Sequence, residues 1–288
     1  MRATRAVIWT IVGAAVVVAL IVGAVVIWSG VTKTPLPTAD RCEATVKGHT
    51  TSIDPEQARN AAIIAGVSVR MGLKPRAGSI ALATAYQESG IRDLDYGHAD
   101  SLGLFQQRPS KGWGTKEQVM DPWYSSATFY KAMVKVKNWE TRNIGDVAQA
   151  VQRSAFPDAY DKHVDNARAL ASALTGQTPA SFSCVVASPG AGNPSAMSDF
   201  LVKTLGNKVA QVTVTDTGLS VQTKTAGQAW AVAELAIANI GVYGLTSVEL
   251  GTSTWTRSTT GLATWQGTGP TETTEVKLVF ETPSASPR

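Results

Sequence analysis

Glu88 is the first residue that invites a chemical reading. It stands in Ala85-Tyr86-Gln87-Glu88-Ser89-Gly90, where a helix-forming run meets a glycine. Ile80, Ala81, Thr84 and Ala85 precede it by eight, seven, four and three residues, positions that share its face of a helix. That face is small and apolar. A carboxylate at its end is partly withdrawn from water, and burial disfavours the charged form and raises the pKa. A general acid working near neutral pH needs such a shift. A glutamate at a helix end serves equally well as a structural hydrogen-bond partner, so position alone leaves both readings open. Asp93, Asp95 and Asp100 lie in the following loop and are the candidates for a second carboxylate. Their Asp-x-Asp spacing lacks the rest of a calcium-loop pattern. His49, His98 and His163 are scattered, and neither cysteine belongs to a C-x-x-C pair, so no metal and no cofactor is expected.

The elements that must hold Glu88 are mainly helices. Asp54-Pro55-Glu56-Gln57 combines an Asp cap, a proline at the first helical position and Gln at the capping-box position; it predicts a helix that runs to residue 71 and stops at Gly72. A second helix over 76–89 carries Glu88. Asp121-Pro122 opens a third, to about residue 137, and helices over 146–154 and 159–174 follow. Residues 90–120 are rich in Gly, Asp and Ser and read as loop with a short strand pair at most. Further on, 209–215 and 219–223 alternate as strands about a Thr217-Gly218 turn. Residues 228–240 form an Ala-rich helix, and 245–250, 253–257, 260–265 and 276–280 are further strands. This is a small α+β module, one helix on an antiparallel sheet, over residues 196–281. It holds no acid–base constellation and is the expected surface for an envelope-protein partner or for the cell wall.

Beyond Glu88-Ser89 and a short loop comes Ser101-Leu102-Gly103-Leu104-Phe105-Gln106-Gln107. Glu-Ser, a loop and then Gly-Leu-Phe-Gln resembles the signature of the soluble lytic transglycosylases and their goose-type lysozyme relatives, over roughly residues 57–174. The resemblance implies Glu88 as the acid/base and Ser89 as its orienting partner. It implies Ser101, Gly103, Leu104, Phe105 and Gln106 along the floor of a sugar cleft. It extends through the Asp121-Pro122 helix, which carries Tyr130. Where the family has an Ala-Tyr-Asn-Ala-Gly run, this chain has Ala150-Val151-Gln152-Arg153-Ser154. Gln152 thus replaces the Asn that touches the substrate's N-acetyl group, and it reaches from a longer arm. Trp113, between two glycines of the loop, is a candidate to stack on a sugar. The activity implied is cleavage of the MurNAc-GlcNAc β-1,4 bond of peptidoglycan with one carboxylate; a hydrolase would need a second. The alternative is a non-catalytic glycan-binding or scaffold protein of a cell-envelope complex.

Residues 6–28 contain no charge, and only Thr10 is clearly polar. That is long enough to cross a bilayer as a helix, with Trp9 and Trp28 near the ends and Arg2 and Arg5 before it. No A-x-A cleavage site follows, which favours an uncleaved anchor over a signal peptide. Residues 1–30 are therefore expected to be a single transmembrane anchor, N-terminus inside and the remainder outside. A linker over 31–41, a lysozyme-like domain over 42–175, a second linker over 176–195, the α+β module and a loose tail over 282–288 complete the expected α+β organisation. The chain has two cysteines, Cys42 and Cys184, and an even number in an exported domain predicts a disulfide. The net charge of +4 is thin, and no basic stripe with interleaved aromatics occurs, so nucleic acid is not an expected partner.

Overall fold

Two helices that begin at proline form the centre of the computed structural model, which describes residues 39–154, 156–267 and 272–281. The first, α1 (Pro55–Arg70), starts as the sequence predicts: the Gln57 N–H donates to the Asp54 side chain at 2.9 Å, and the Asp54 N–H donates to the Gln57 side chain at 3.0 Å. The second, α2 (Pro75–Ser89), ends at Gly90, which takes the left-handed conformation with φ 65°. Around them lie α3 (Lys116–Val119), α4 (Pro122–Met133), α5 (Ile144–Gln152) and α6 (Val164–Leu174), with 3-10 turns at Pro109–Lys111 and Pro157–His163. The helix expected to reach residue 137 stops at Met133, and Asn138 at φ 61° turns the chain back.

A three-stranded antiparallel sheet flanks the helices. It joins β1 (Arg41–Val46), β2 (His49–Ile53) and β3 (Phe182–Val185) in the order β2-β1-β3. β1 and β2 show no clear alternation in the sequence. Their signal is the Lys47-Gly48 turn, whose residues both have positive φ (50° and 80°), as a two-residue hairpin turn requires. β3 lies in the Gly- and Pro-rich segment read as the second linker, and it sets Cys184 directly opposite Cys42 with Cα atoms 3.9 Å apart. The two cysteines form the disulfide.

The rest of the chain adds α7 (Pro194–Leu205), capped by Asn193, and a five-stranded antiparallel sheet. That sheet contains β4 (Ala210–Thr215), β5 (Gly218–Thr223), β6 (Leu245–Leu250), β7 (Ser253–Thr256) and β8 (Glu275–Phe280), ordered β4-β5-β8-β6-β7. Residues 260–265, expected as a strand, run irregularly beside β7, with only a bridge between Thr254 and Gln266. Helix α8 (Ala226–Ile237) is followed by the single turn α9 (Ile240–Tyr243). From Ala229 to Ile237 every residue of α8 is buried. Apart from Glu234, whose carboxylate accepts from the Ser181 N–H at 2.9 Å, that run is apolar, and a helix apolar on all sides must be covered on all sides. One side of α8 meets β5, β6 and β8, and another meets α1 and α6. Polar ties cross the same boundary: Trp123 Nε1 donates to Thr204 Oγ1 at 2.9 Å, and Arg59 donates to Asn239 Oδ1 and the Tyr243 hydroxyl at 2.9 Å each. The described residues from Ala39 to Glu281 form one compact unit of mixed α+β structure with two antiparallel sheets. No helix among the described residues is long and apolar enough to cross a membrane. The expected anchor over 1–30, residues 31–38 of the linker expected over 31–41, and the tail over 282–288 lie outside the described residues; Arg41 already belongs to β1.

Candidate functional site

Glu88 sits one residue from the end of α2, where the left-handed Gly90 closes the helix. The Gly90 and Ile91 N–H groups donate to the carbonyls of Tyr86 and Ala85 at 3.1 and 3.0 Å, so the last turn is fixed. Ser89 ties that end to the Gly-Leu-Phe-Gln segment: its hydroxyl donates to the Leu104 carbonyl at 2.7 Å and accepts from the Arg92 N–H at 3.2 Å. The segment itself is a tight turn closed by paired bonds between Leu102 and Gln107, 3.0 Å each way. Gly103 is obligatory there. Its φ is 73°, and a Cβ would come within 2.4 Å of the Val119 carbonyl oxygen.

Leu104 and Phe105 serve the site through their backbone. Both side chains are fully buried, and Phe105 stacks on Phe129 with ring centroids 4.7 Å apart. Their carbonyls are what face α2 and α5: Leu104 O receives Ser89, and Phe105 O receives Gln152 Nε2 at 2.7 Å. Gln106 adopts φ 47° and lines a cleft of about 1050 Å³ together with Glu88, Ser101, Trp113 and Gln152. The structure thus brings those five together. It does not bring Tyr130 to the cleft. That side chain is fully buried against the core, where its hydroxyl donates to the Ile64 carbonyl at 2.9 Å; the apolar surroundings that push its pKa up also keep it from any sugar.

Sequence reasoning missed Tyr160. It lies in the 3-10 turn Pro157–His163, fully buried, and its hydroxyl donates to Glu88 Oε1 at 2.6 Å. The length is that of a charge-assisted O–H···O⁻ bond. The contact spans 72 residues of chain, and no local spacing pattern reports it. Burial raises the Tyr160 pKa, and the adjacent carboxylate raises it further, so the hydroxyl remains a donor.

Burial also raises the Glu88 pKa, opposed by the Tyr160 hydroxyl and the Gln152 amide, which favour the charged form. The outcome is a carboxyl that holds its proton to higher pH than a solvated glutamate while two donors keep it oriented. Among the described residues that line the cleft, Glu88 is the one carboxylate. The three loop aspartates are placed elsewhere. Asp100 accepts from Arg108 Nε at 2.8 Å and from the Ser110 N–H at 2.7 Å. Asp95 is exposed and does not line the cleft. Asp93 packs beneath Gly103 with Oδ1 buried and unpartnered; burial, then the charges of Asp121 and Glu56, push it up to about 6. Among the described residues no group of His, Cys, Asp or Glu is arranged to hold a metal ion. The arrangement can donate and retrieve one proton at an oriented carboxyl beside a channel whose lining includes the aromatic rings of Trp113 and Phe156. No protein-family model and no curated protein matches the chain.

Proposed function

We propose that this protein is a lytic transglycosylase of the lysozyme-like superfamily, anchored by its N-terminal segment and acting on peptidoglycan outside the cell. The observation that carries the reading is the lone, half-buried Glu88 in the cleft, held by Tyr160 and backed by the carbonyls of residues 104 and 105. In the proposed reaction Glu88 gives its proton to the glycosidic oxygen that follows a muramic residue, and the bond from that oxygen to C1 breaks. The C6 hydroxyl of the same sugar then attacks C1, and the Glu88 carboxylate takes the proton that this hydroxyl releases. The products are a 1,6-anhydro end and a free 4-hydroxyl. A hydrolytic route would need a second carboxylate to act on water, and Asp93, Asp95 and Asp100 are outside the cleft lining.

Mass spectrometry of digested sacculi tests this. Anhydro-ended fragments are expected from the wild type and none from Glu88→Gln; water-added fragments, or a Glu88→Gln variant that retains most activity, count against it. A second reading, a glycan-binding scaffold of an envelope complex, draws on Gln152. The amide that stands where the family places its substrate-binding Asn is already engaged on Phe105 O. A zymogram comparing wild type and Glu88→Gln separates the two. The C-terminal sheet and its helices are the proposed docking surface for an envelope partner.

A further inference from the structure

Charge around the cleft is one-sided. Among the described residues that line it, Arg108, Lys111, Lys135 and Arg153 are basic, and Glu88 alone is acidic. Asp100 neutralises Arg108, and Ser110 holds the same carboxylate through its N–H and its hydroxyl at 2.7 and 2.9 Å. Lys111, Lys135 and Arg153 form no ion pair among the described residues. They do not come from one solvated charge run. Lys111 ends the 3-10 turn Pro109–Lys111, Lys135 follows α4, and Arg153 caps α5. Three separate elements therefore deliver cations to one channel.

Arg153 is held there against local preference. Its φ is 54°, the left-handed conformation in which Gly or Asn is the usual helix terminator. The turn is pinned by the Arg153 N–H on the Gln149 carbonyl at 2.7 Å and by Gln149 Nε2 on the Ser154 carbonyl at 2.8 Å. Strained backbone concentrates where function over-determines it. Beside Arg153, Phe156 is 73% exposed and lines the same channel, opening an apolar face of the kind on which sugar rings stack.

Resting on the reading of this cleft as a glycan site, we propose that it selects strands whose muramic residues carry free lactyl carboxylates, that is, strands already stripped of their stem peptides. The lactyl group is attached directly to the sugar ring, so cations in the channel wall meet its carboxylate when it is free. When a stem peptide is attached the same carbon is a neutral amide, and the peptide's own carboxylates lie further out along the chain. A neutral β-1,4 amino-sugar strand leaves all three cations with water. The reaction that must supply this substrate is hydrolysis of the lactyl-peptide amide bond, an amidase-class step that precedes cleavage of the glycan.

The test is equilibrium binding to the full-length Glu88→Gln protein in non-ionic detergent. The probes are peptide-free peptidoglycan strands, the same strands with stem peptides attached, and neutral chitin oligosaccharides of matched length. The peptide-free strand is expected to bind tightest. Lys111→Gln, Lys135→Gln and Arg153→Gly should each weaken it about two- to fivefold, and the triple variant on the order of tenfold or more. Glycine suits the left-handed position of Arg153, and thermal unfolding checks that the triple variant folds. A salt titration on the Glu88→Gln protein is independent of that check: the preference for the peptide-free strand must shrink as ionic strength rises. Equal or stronger binding of the peptide-bearing strand, or a preference indifferent to both salt and the three cations, overturns the proposal. The two readings fail separately. Glu88-dependent cleavage of peptide-bearing and peptide-free strands at equal rates leaves the transglycosylase and removes the selectivity. Cation-dependent binding of peptide-free strands by a protein with no lytic activity does the reverse.

Discussion

Removing the Cys42–Cys184 bond should act on the unfolded chain far more than on the folded one. The two cysteines are 142 residues apart in sequence, and the loop they close contains α1 to α6 and the whole of the cleft. In the chain-entropy model, freeing a loop of that length costs about 5 kcal/mol at 25 °C, with about 2–5 kcal/mol usually realised. In the folded protein the bond joins residues that the sheet already pairs, since β1 and β3 are in register from Arg41–Val185 to Ala44–Phe182. Its loss should therefore leave the native backbone in place. The experiment compares urea unfolding of oxidised wild type, reduced wild type and a Cys42→Ala, Cys184→Ala variant, followed by tryptophan fluorescence. A loss of about 3–5 kcal/mol is expected, equivalent to a Tm lower by about 10 °C for a unit of this size. Kinetically, most of the loss should appear as slower folding, because the cross-link removes entropy that folding must otherwise overcome. Two results would refute the reasoning: a stability change under about 1 kcal/mol, or a change carried wholly by faster unfolding.

Tyr160→Phe removes the hydroxyl that favours charged Glu88, so the carboxyl should hold its proton to still higher pH. Cleavage by protonated Glu88 is present below its folded pKa and falls as pH rises through it, so the alkaline limb of the pH–rate profile should move up while the maximal rate drops. Carbon-13 NMR titration of Glu88 reads the same shift without any activity. Gly103→Ala places a Cβ against the Val119 carbonyl in a left-handed residue, at a cost of about 1–3 kcal/mol. Thermal unfolding measures that cost, and glycan cleavage should fall with it because Leu104 O and Phe105 O move. Asp93→Asn should stabilise the protein at pH 7. With its folded pKa near 6, the cost of Asp93 is absent below the unfolded value near 4, builds as pH rises between the two values, and is complete above about 6. A gain of ~1 kcal/mol, discounted for partial exposure, should appear in urea unfolding at pH 7 and vanish near pH 4.

Much of this was legible in the sequence where the signal is local. Asp54-Pro55 with Gln57, Asp121-Pro122 and Gly90 mark helix ends through caps formed within four residues, and the helices lie where those caps put them. Asn193-Pro194 carries the same cap-then-proline signal and opens α7, yet the Gly- and Ala-rich stretch before it hid the signal, and no element was expected over 196–208. β1 and β2 are written in Thr, Ser, Glu and His, so their alternation is carried only by Cys42, Ala44, Thr51 and Ile53, too sparse to stand out. The Ala-rich helix was visible, but not that it would be covered on a second side, because periodicity reports which residues leave water and not what they meet. The site divides in the same way. Glu88, Ser89 and Gly103 to Gln106 are contiguous and readable, whereas Tyr160 reaches Glu88 only through the tertiary fold.

Gln152 shows how a departure in sequence becomes intelligible only in three dimensions. Read alone, it is an Asn with one methylene too many. In the structure its Nε2 bonds to Phe105 O, 47 residues away in sequence, at 2.7 Å while the same amide favours ionised Glu88, so the longer arm lies between the cleft floor and the acid. With the Gln152 amide engaged on the floor, the groups available to grip the proposed glycan are the Trp113 and Phe156 rings and the three cations that form no ion pair among the described residues. On the proposed glycan reading, the strand is then gripped at its carboxylates by the cations of the channel wall rather than at an N-acetyl group by Gln152.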